Sequence, residues 1–194
     1  MRIYAFDFDG TLTTHDTLIA FIRYAKGSAA CFGGFLLHAP WLLLMKLRIY
    51  PNWKAKQRVF SFFFRGWPVT RFERVCRDFS RDKCMLMRPK ARKYLNEVLE
   101  QDDTTVVVVS ASIDTWVRPF LPESVVVLGT QVEQQGGVLT GRFLTANCYG
   151  EEKVRRLRAM FPNRREYELI AFGDSRGDQE MLIYADKGYY KPFR

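Results

Sequence analysis

Two aspartates stand two residues apart in Asp7-Phe8-Asp9-Gly10-Thr11, directly after the apolar run Ile3-Tyr4-Ala5-Phe6. Alternate strand residues share a face, and where a strand frays the chain turns, so both carboxylates can reach one pocket. Ser110 ends a run of four valines and precedes Ala111-Ser112 and a predicted helix. A hydroxyl beside a helix N-terminus is a good cradle for phosphate, although Ser112 reads equally well as a helix cap. Lys153 sits near the start of another predicted helix, after Gly150-Glu151-Glu152. A cation there opposes the helix dipole, and a nearby anion would justify it. Asp174 and Asp178 flank a glycine-containing turn, Gly173-Asp174-Ser175-Arg176-Gly177-Asp178. Such an acid pair suits a hard cation such as Mg²⁺, which prefers oxygen ligands, while Asp178 also reads as a helix cap.

These pieces must be held by strand ends and helix starts, and the sequence supplies both. Short β-branched runs at 3–8, 105–109, 124–128 and 169–172 alternate with helical patterns at 89–101, 113–121, 151–161 and 179–185. That alternation predicts an α/β fold: a Rossmann-like, mainly parallel sheet flanked by helices. Residues 131–143, broken by Gly136-Gly137, read as a β-hairpin. Residues 15–87 interrupt the alternation and look helical, divided by Pro40, Pro51 and Pro68. The domain division expected is therefore a core of residues 1–14 and 88–194 and a helical cap of residues 15–87. An insertion after the first strand would cover the carboxyl ends of the strands, where open α/β sheets bind ligands.

With 194 residues, 47% of them hydrophobic, the chain can bury a sizeable core. The start runs straight into a strand and reads as lacking a secretory leader, and the four cysteines form no C-x-x-C pair. They are expected to be reduced thiols in a cytoplasmic protein. The net charge of +9 is uneven, because residues 46–93 carry fifteen Lys or Arg against three acids, leaving −3 for the rest. A solvated basic face, an anionic substrate or an acidic surface such as a membrane would each account for it. No nucleic-acid motif accompanies the charge, so nucleic acid is not an expected partner. Residues 27–45 are nineteen positions without a formal charge, just enough to span a bilayer. A single crossing would separate Asp7 from Asp174, and Gly33-Gly34 and Pro40 interrupt the segment, so a spanning helix is excluded, short of a re-entrant hairpin. A buried helix pair is the favoured reading, and a surface dipping into the interface, anchored by Trp41 and flanking lysines, is the alternative.

Taken together, the acid pair, hydroxyl, lysine and second acid pair resemble the haloacid dehalogenase superfamily of phosphohydrolases. The match is to its phosphoserine-phosphatase-like branch, subfamily IB, and extends to the inserted cap, the hairpin and the ending Gly188-Tyr189-Tyr190-Lys191-Pro192-Phe193. The resemblance implies that Asp7 is the nucleophile, forming an aspartyl-phosphate, and that Asp9 is the acid and base. Ser110 and Lys153 would bind the phosphoryl group. Mg²⁺ would be held by Asp7, the Asp9 carbonyl and Asp174, with Asp178 behind them or acting through water. Asp16 stands where the family carries a substrate-contacting glutamate, and Arg58 is the nearest match to a cap arginine that holds a substrate carboxylate. His15 is expected to be an ordinary loop residue.

Without the family, the electrostatic need is still clear. Two unit charges at about 4 Å repel by ~4 kcal/mol at an effective dielectric near 20, so a carboxylate meets a phosphate dianion only if cations offset the repulsion. The predicted activity is a Mg²⁺-dependent phosphatase for a phosphorylated small molecule such as a phosphoserine-like metabolite. The alternative is a lipid-phosphate phosphatase, since the apolar, cationic insertion and Gly150-Glu151-Glu152-Lys153-Val154 also resemble phosphatidylglycerophosphate phosphatases of this branch. In that case the enzyme would act on a lipid head group, peripheral at the inner face of an anionic membrane. A phosphoacceptor without turnover does not need Asp9, and a phosphomutase would need a cap that holds a bisphosphate.

Overall fold

The computed structural model describes all 194 residues. Five parallel strands form one sheet: β1 (Arg2–Phe6), β2 (Thr104–Ile113), β3 (Val126–Thr130), β6 (Glu168–Gly173) and β7 (Lys187–Tyr190). Their order across the sheet is β3-β2-β1-β6-β7. Both faces of the central strands are covered, which is why these strands read as continuous apolar runs. The period of two sorts their residues. Tyr4, Phe6, Val106, Val108, Ile170 and Phe172 enter one cluster, and Ile3, Ala5, Val107, Val109, Leu169 and Ala171 the other.

On the first face, α5 (Pro89–Leu99) lays Ala91, Leu95 and Val98 against the sheet. Phe6 stacks on Phe172 with centroids 4.5 Å apart, and Tyr94 meets Phe172 edge-on. The second face is covered by α7 (Glu151–Met160) and α8 (Gln179–Tyr184), through Val154, Leu157 and Met181.

Between β1 and α5 the chain makes four helices: α1 (Thr17–Lys26), α2 (Ser28–Lys46), α3 (Asn52–Phe64) and α4 (Val69–Asp82). Entry and exit of this excursion are tied side by side. Thr13 bridges Met87, the Thr14 amide donates to Leu86 O at 2.9 Å, and the Arg88 amide to Leu12 O at 2.8 Å. Phe21, Phe60, Phe64, Phe72 and Phe79 form the aromatic centre of the helices and join the cluster on the first face of the sheet.

The predicted hairpin is present as β4 (Val132–Gln135) and β5 (Val138–Phe143), an antiparallel pair. Gly136 and Gly137 both have positive φ, as a tight two-residue turn requires. The hairpin docks on α3, where the Phe143 amide donates to Gln57 Oε1 at 2.9 Å and the Gly66 amide to Leu139 O at 2.8 Å.

Several expected elements differ. The second strand runs on to Ile113, so Ser110 lies within β2, and the helix that follows is the single turn α6 (Asp114–Val117). Pro119, lacking an amide proton, sits in the tighter turn Arg118–Phe120 that replaces the rest of the predicted helix. Residues 28–46 form one continuous helix with Pro40 inside, and only Cys31 and Gly34 are buried. The buried helix pair is therefore not what forms: one side of α2 rests on α3, and nothing covers the other.

Candidate active site

Strand register brings the site together before any side chain acts. Phe6 is level with Val108 on one side and Phe172 on the other. The residues just beyond, Asp7, Ser110 and Asp174, therefore sit on one edge of the sheet. Beyond β1 the chain turns tightly over Phe8–Leu12, with Gly10 at φ +81°. A side chain at Gly10 would collide with the Asp174 carboxylate, so glycine lets the two loops meet.

Asp7 is 5% exposed, and its amide donates to Phe172 O at 2.8 Å. Lys153, 1% exposed, places Nζ 2.6 Å from Asp7 Oδ1 and 2.6 Å from Asp178 Oδ1. These carboxylates are the anions that justify a lysine in the first turn of α7. Asp178 in turn organises the loop after β6. Its Oδ2 accepts from the Asp174 amide at 3.1 Å, the Ser175 amide at 2.9 Å and Ser175 Oγ at 2.8 Å.

Burial dominates the protonation of this cluster. Desolvation pushes Asp7 up to about 7, although the Lys153 charge acts the other way. Burial would lower Lys153, but the charges of Asp7 and Asp178 outweigh it and hold the ammonium above its ordinary value. Burial likewise opposes ionisation of Asp178, and Lys153 more than reverses that, so Asp178 lies below the usual carboxylate range.

Asp9 is held on both oxygens. Oδ1 accepts from the Thr17 amide at 2.9 Å and Thr17 Oγ1 at 2.6 Å, and Oδ2 from Ser112 Oγ. Trp116 Nε1 donates to Thr17 Oγ1 at 3.1 Å and fixes that hydroxyl. Desolvation raises Asp9, the nearby Asp16 adds to this, and the Ser112 and Thr17 hydrogen bonds partly offset it.

Asp7, Asp174 and Asp178 each offer one carboxylate oxygen, the three within 4.8 Å of one another. Asp7 Oδ2 and Asp174 Oδ1 make no hydrogen bond, while both Asp178 oxygens are committed and Arg194 pairs with Asp174 Oδ2. The donor set fits a hard dication on Asp7 and Asp174, with Asp178 fixing the loop.

A cavity of about 410 Å³ opens over this edge, lined by Asp7, Asp9, Ser110, Lys153, Asp174 and Asp178 and, from the helical excursion, Asp16, Asn52 and Lys56. Asp16 accepts the Leu18 amide at 2.9 Å as the cap of α1. His15 and Asp16 also border a second cavity of about 700 Å³, lined by Ile19, Tyr24, Leu86, Arg23 and Lys83. Arg58 is not at the site. Its guanidinium lies 4.3 Å from the Trp41 ring centroid, and its Nε donates to Tyr50 Oη at 2.9 Å. Lys56, Asn52, Thr17 and Ser112 were not singled out for this site from the sequence. Asn52 and Lys56 share one face of α3 at spacing i, i+4, a signal that could have found them.

A sheet with an acid-pair turn after its first strand and a helical insertion above it defines a hydrolase of known class. The model of the haloacid dehalogenase-like hydrolases matches residues 4–182, and the chain belongs to that family. Protein CicA of Caulobacter vibrioides is 33% identical over 197 residues, covering 99% of this chain and 86% of its own. A Bordetella pertussis Tohama I protein of unknown function shares the fold at a TM-score of 0.78 and 16% identity, over 97% of this chain and 88% of that one. A phosphoserine phosphatase holding a phospho-aspartyl intermediate analogue does so at 0.61 and 17%, over 97% and 84%.

Proposed function

We propose that this chain is a Mg²⁺-dependent phosphatase that hydrolyses a phosphomonoester through an aspartyl-phosphate on Asp7. The observation that carries the reading is the buried Asp7 with one oxygen on Lys153 at 2.6 Å and the other unpaired beside Asp174. A phospho-aspartyl analogue captured in a phosphoserine phosphatase of the same fold agrees with it. Mg²⁺ on Asp7, the Asp9 carbonyl and Asp174 would offset charge between the attacking carboxylate and the phosphoryl oxygens.

The chain's own groups then do the following. One carboxylate oxygen of Asp7 attacks phosphorus in line while the other stays with the cation, and the bond to the leaving oxygen breaks. Asp9, held by Thr17 and Ser112, gives that oxygen its proton. Ser110 Oγ and Lys153 hold phosphoryl oxygens, and the ammonium screens Asp7. Asp9 next takes a proton from water, which attacks phosphorus and releases phosphate from Asp7. Residues 15–87 act as the cap, entered and left through the paired stem at Thr13 and Met87. Asn52 Oδ1, buried and without a partner, and Lys56 face the substrate from that cap.

The substrate class is a phosphorylated small molecule, with room for its remainder in the adjoining cavity between α1 and the turn at Lys83 and Leu86. Phosphoserine specificity draws no support from Arg58. We place the enzyme in the cytoplasm. A lipid-phosphate substrate is the second reading, favoured by the uncovered apolar face of α2. Release of phosphate from an aryl phosphate with Mg²⁺, lost in Asp7→Asn, tests the main reading. Turnover that survives in Asp7→Asn would overturn it.

A further inference from the structure

We propose that α2 and the turn after it form a docking surface for an anionic lipid bilayer, lying in its interface. The inward stripe of α2 is anchored. Gly34 lies so close to Phe63 that a side chain there would clash, Phe35 and Leu42 pack on the cluster, and His38 meets the Phe62 ring edge-on. Phe32, Leu36, Leu43 and Leu47 follow at i, i+4, i+11 and i+15 and point the other way, with exposures of 58–73%. Ile49, in the turn beyond, is 70% exposed. The outward side of a helix on a water-soluble domain is normally polar, yet this one carries no charge until Lys46 at its end.

Charge selects the occupant. From Thr17 to Phe72 the chain has nine Lys or Arg and no Asp or Glu. Arg23 and Lys26 close α1 just before α2, and Lys46, Arg48 and Lys54 follow its apolar length. An apolar helix framed by cations suits anionic lipid, whose surface attracts the cations while long side chains reach back to the head groups. A second copy of this chain would bring like charges together at the same rim, which disfavours it. Crossing the bilayer is excluded because β1, before α2, pairs with β2 and β6, after it. Trp41, 36% exposed and stacked under Arg58, has the amphipathic character of an interfacial anchor.

Docking also orients the site. Asn52 and Lys56, which line the catalytic cavity, stand on α3, the helix on which α2 rests. A phosphorylated lipid head group would then reach Asp7 from the surface, a consequence that rests on the proposed phosphatase reading.

The test is flotation of the full chain with vesicles of phosphatidylcholine alone or mixed equally with phosphatidylserine. The expected result is co-flotation with the anionic vesicles, weaker with neutral ones and falling with salt, and quenching of tryptophan emission by brominated lipid. The Leu36→Glu/Leu43→Glu variant is expected to float roughly tenfold less, with aryl-phosphate hydrolysis unchanged. A wild-type chain that stays unbound at low salt overturns the proposal. So does a dimer that the same variant dissociates, with no flotation. Hydrolysis measured without vesicles reports separately on the phosphatase reading.

Discussion

The ammonium of Lys153 sits 2.6 Å from the Asp7 carboxylate, both groups shut away from water, with Asp178 as the ammonium's second partner at 2.6 Å. Removing the cation leaves two buried carboxylates without their charge partner. Lys153→Met should lower kcat by roughly 10²–10³. It should also cost about 3–5 kcal/mol of stability in the metal-free protein. Denaturant titration and steady-state kinetics of the same sample check both numbers.

Thr17 and Ser112 hold Asp9 through its charged form, so losing either donor raises the Asp9 pKa further. Ser112→Ala and Thr17→Val should each reduce kcat by roughly 10-fold to 10²-fold, the usual range for a mispositioned acid-base group. The protonated acid persists to higher pH, so the alkaline limb of the rate profile moves up. A kcat–pH profile with an unmoved limb would show that the two hydroxyls do not govern Asp9.

Asp7 ionises near 3.8 in the unfolded chain and is pushed up to about 7 by burial in the fold. Between those values the unfolded state has lost the proton and the native state keeps it. Stability therefore falls as pH rises from about 4 to about 7, by ~1.4 kcal/mol for each pH unit crossed. Asp9 and Asp174 are also raised, by desolvation first, and add in the same sense. Metal-free Asp7→Asn should melt higher than wild type at pH 7 and depend less on pH, as read by thermal melts across that window.

A cation on Asp7 and Asp174 binds only the folded chain. Mg²⁺ at about a hundred times its Kd should add ~2.7 kcal/mol, a rise in Tm of roughly 5–10 °C for a chain of this size. Asp174→Asn should abolish both the rise and the Mg²⁺-dependent activity, while its metal-free form melts no lower than wild type at pH 7.

Much of this site was legible because parallel buried strands print themselves as valine and isoleucine runs, and the chemistry sits at their ends. The acid pairs, Ser110 and Lys153 could be read from such positions alone. β7 could not, since Lys187-Gly188-Tyr189-Tyr190 is short and exposed, with no apolar run. Arg58 and Lys56 lie two residues apart on α3, roughly 200° around the helix, and sequence spacing does not choose between such phases. Thr17 and Ser112 reach Asp9 from 8 and 103 residues away, which only tertiary structure reveals. For α2, hydrophobicity suggested burial. Apolar composition alone does not distinguish a core helix from one left for a surface partner.

The most direct test of the central claim is an acid-quenched reaction with radiolabelled substrate and Mg²⁺, followed by peptide mapping. Label on the peptide containing Asp7, discharged by hydroxylamine and absent from Asp7→Asn, is the result expected. Label on another residue, or full turnover with Asp7 replaced, would contradict it.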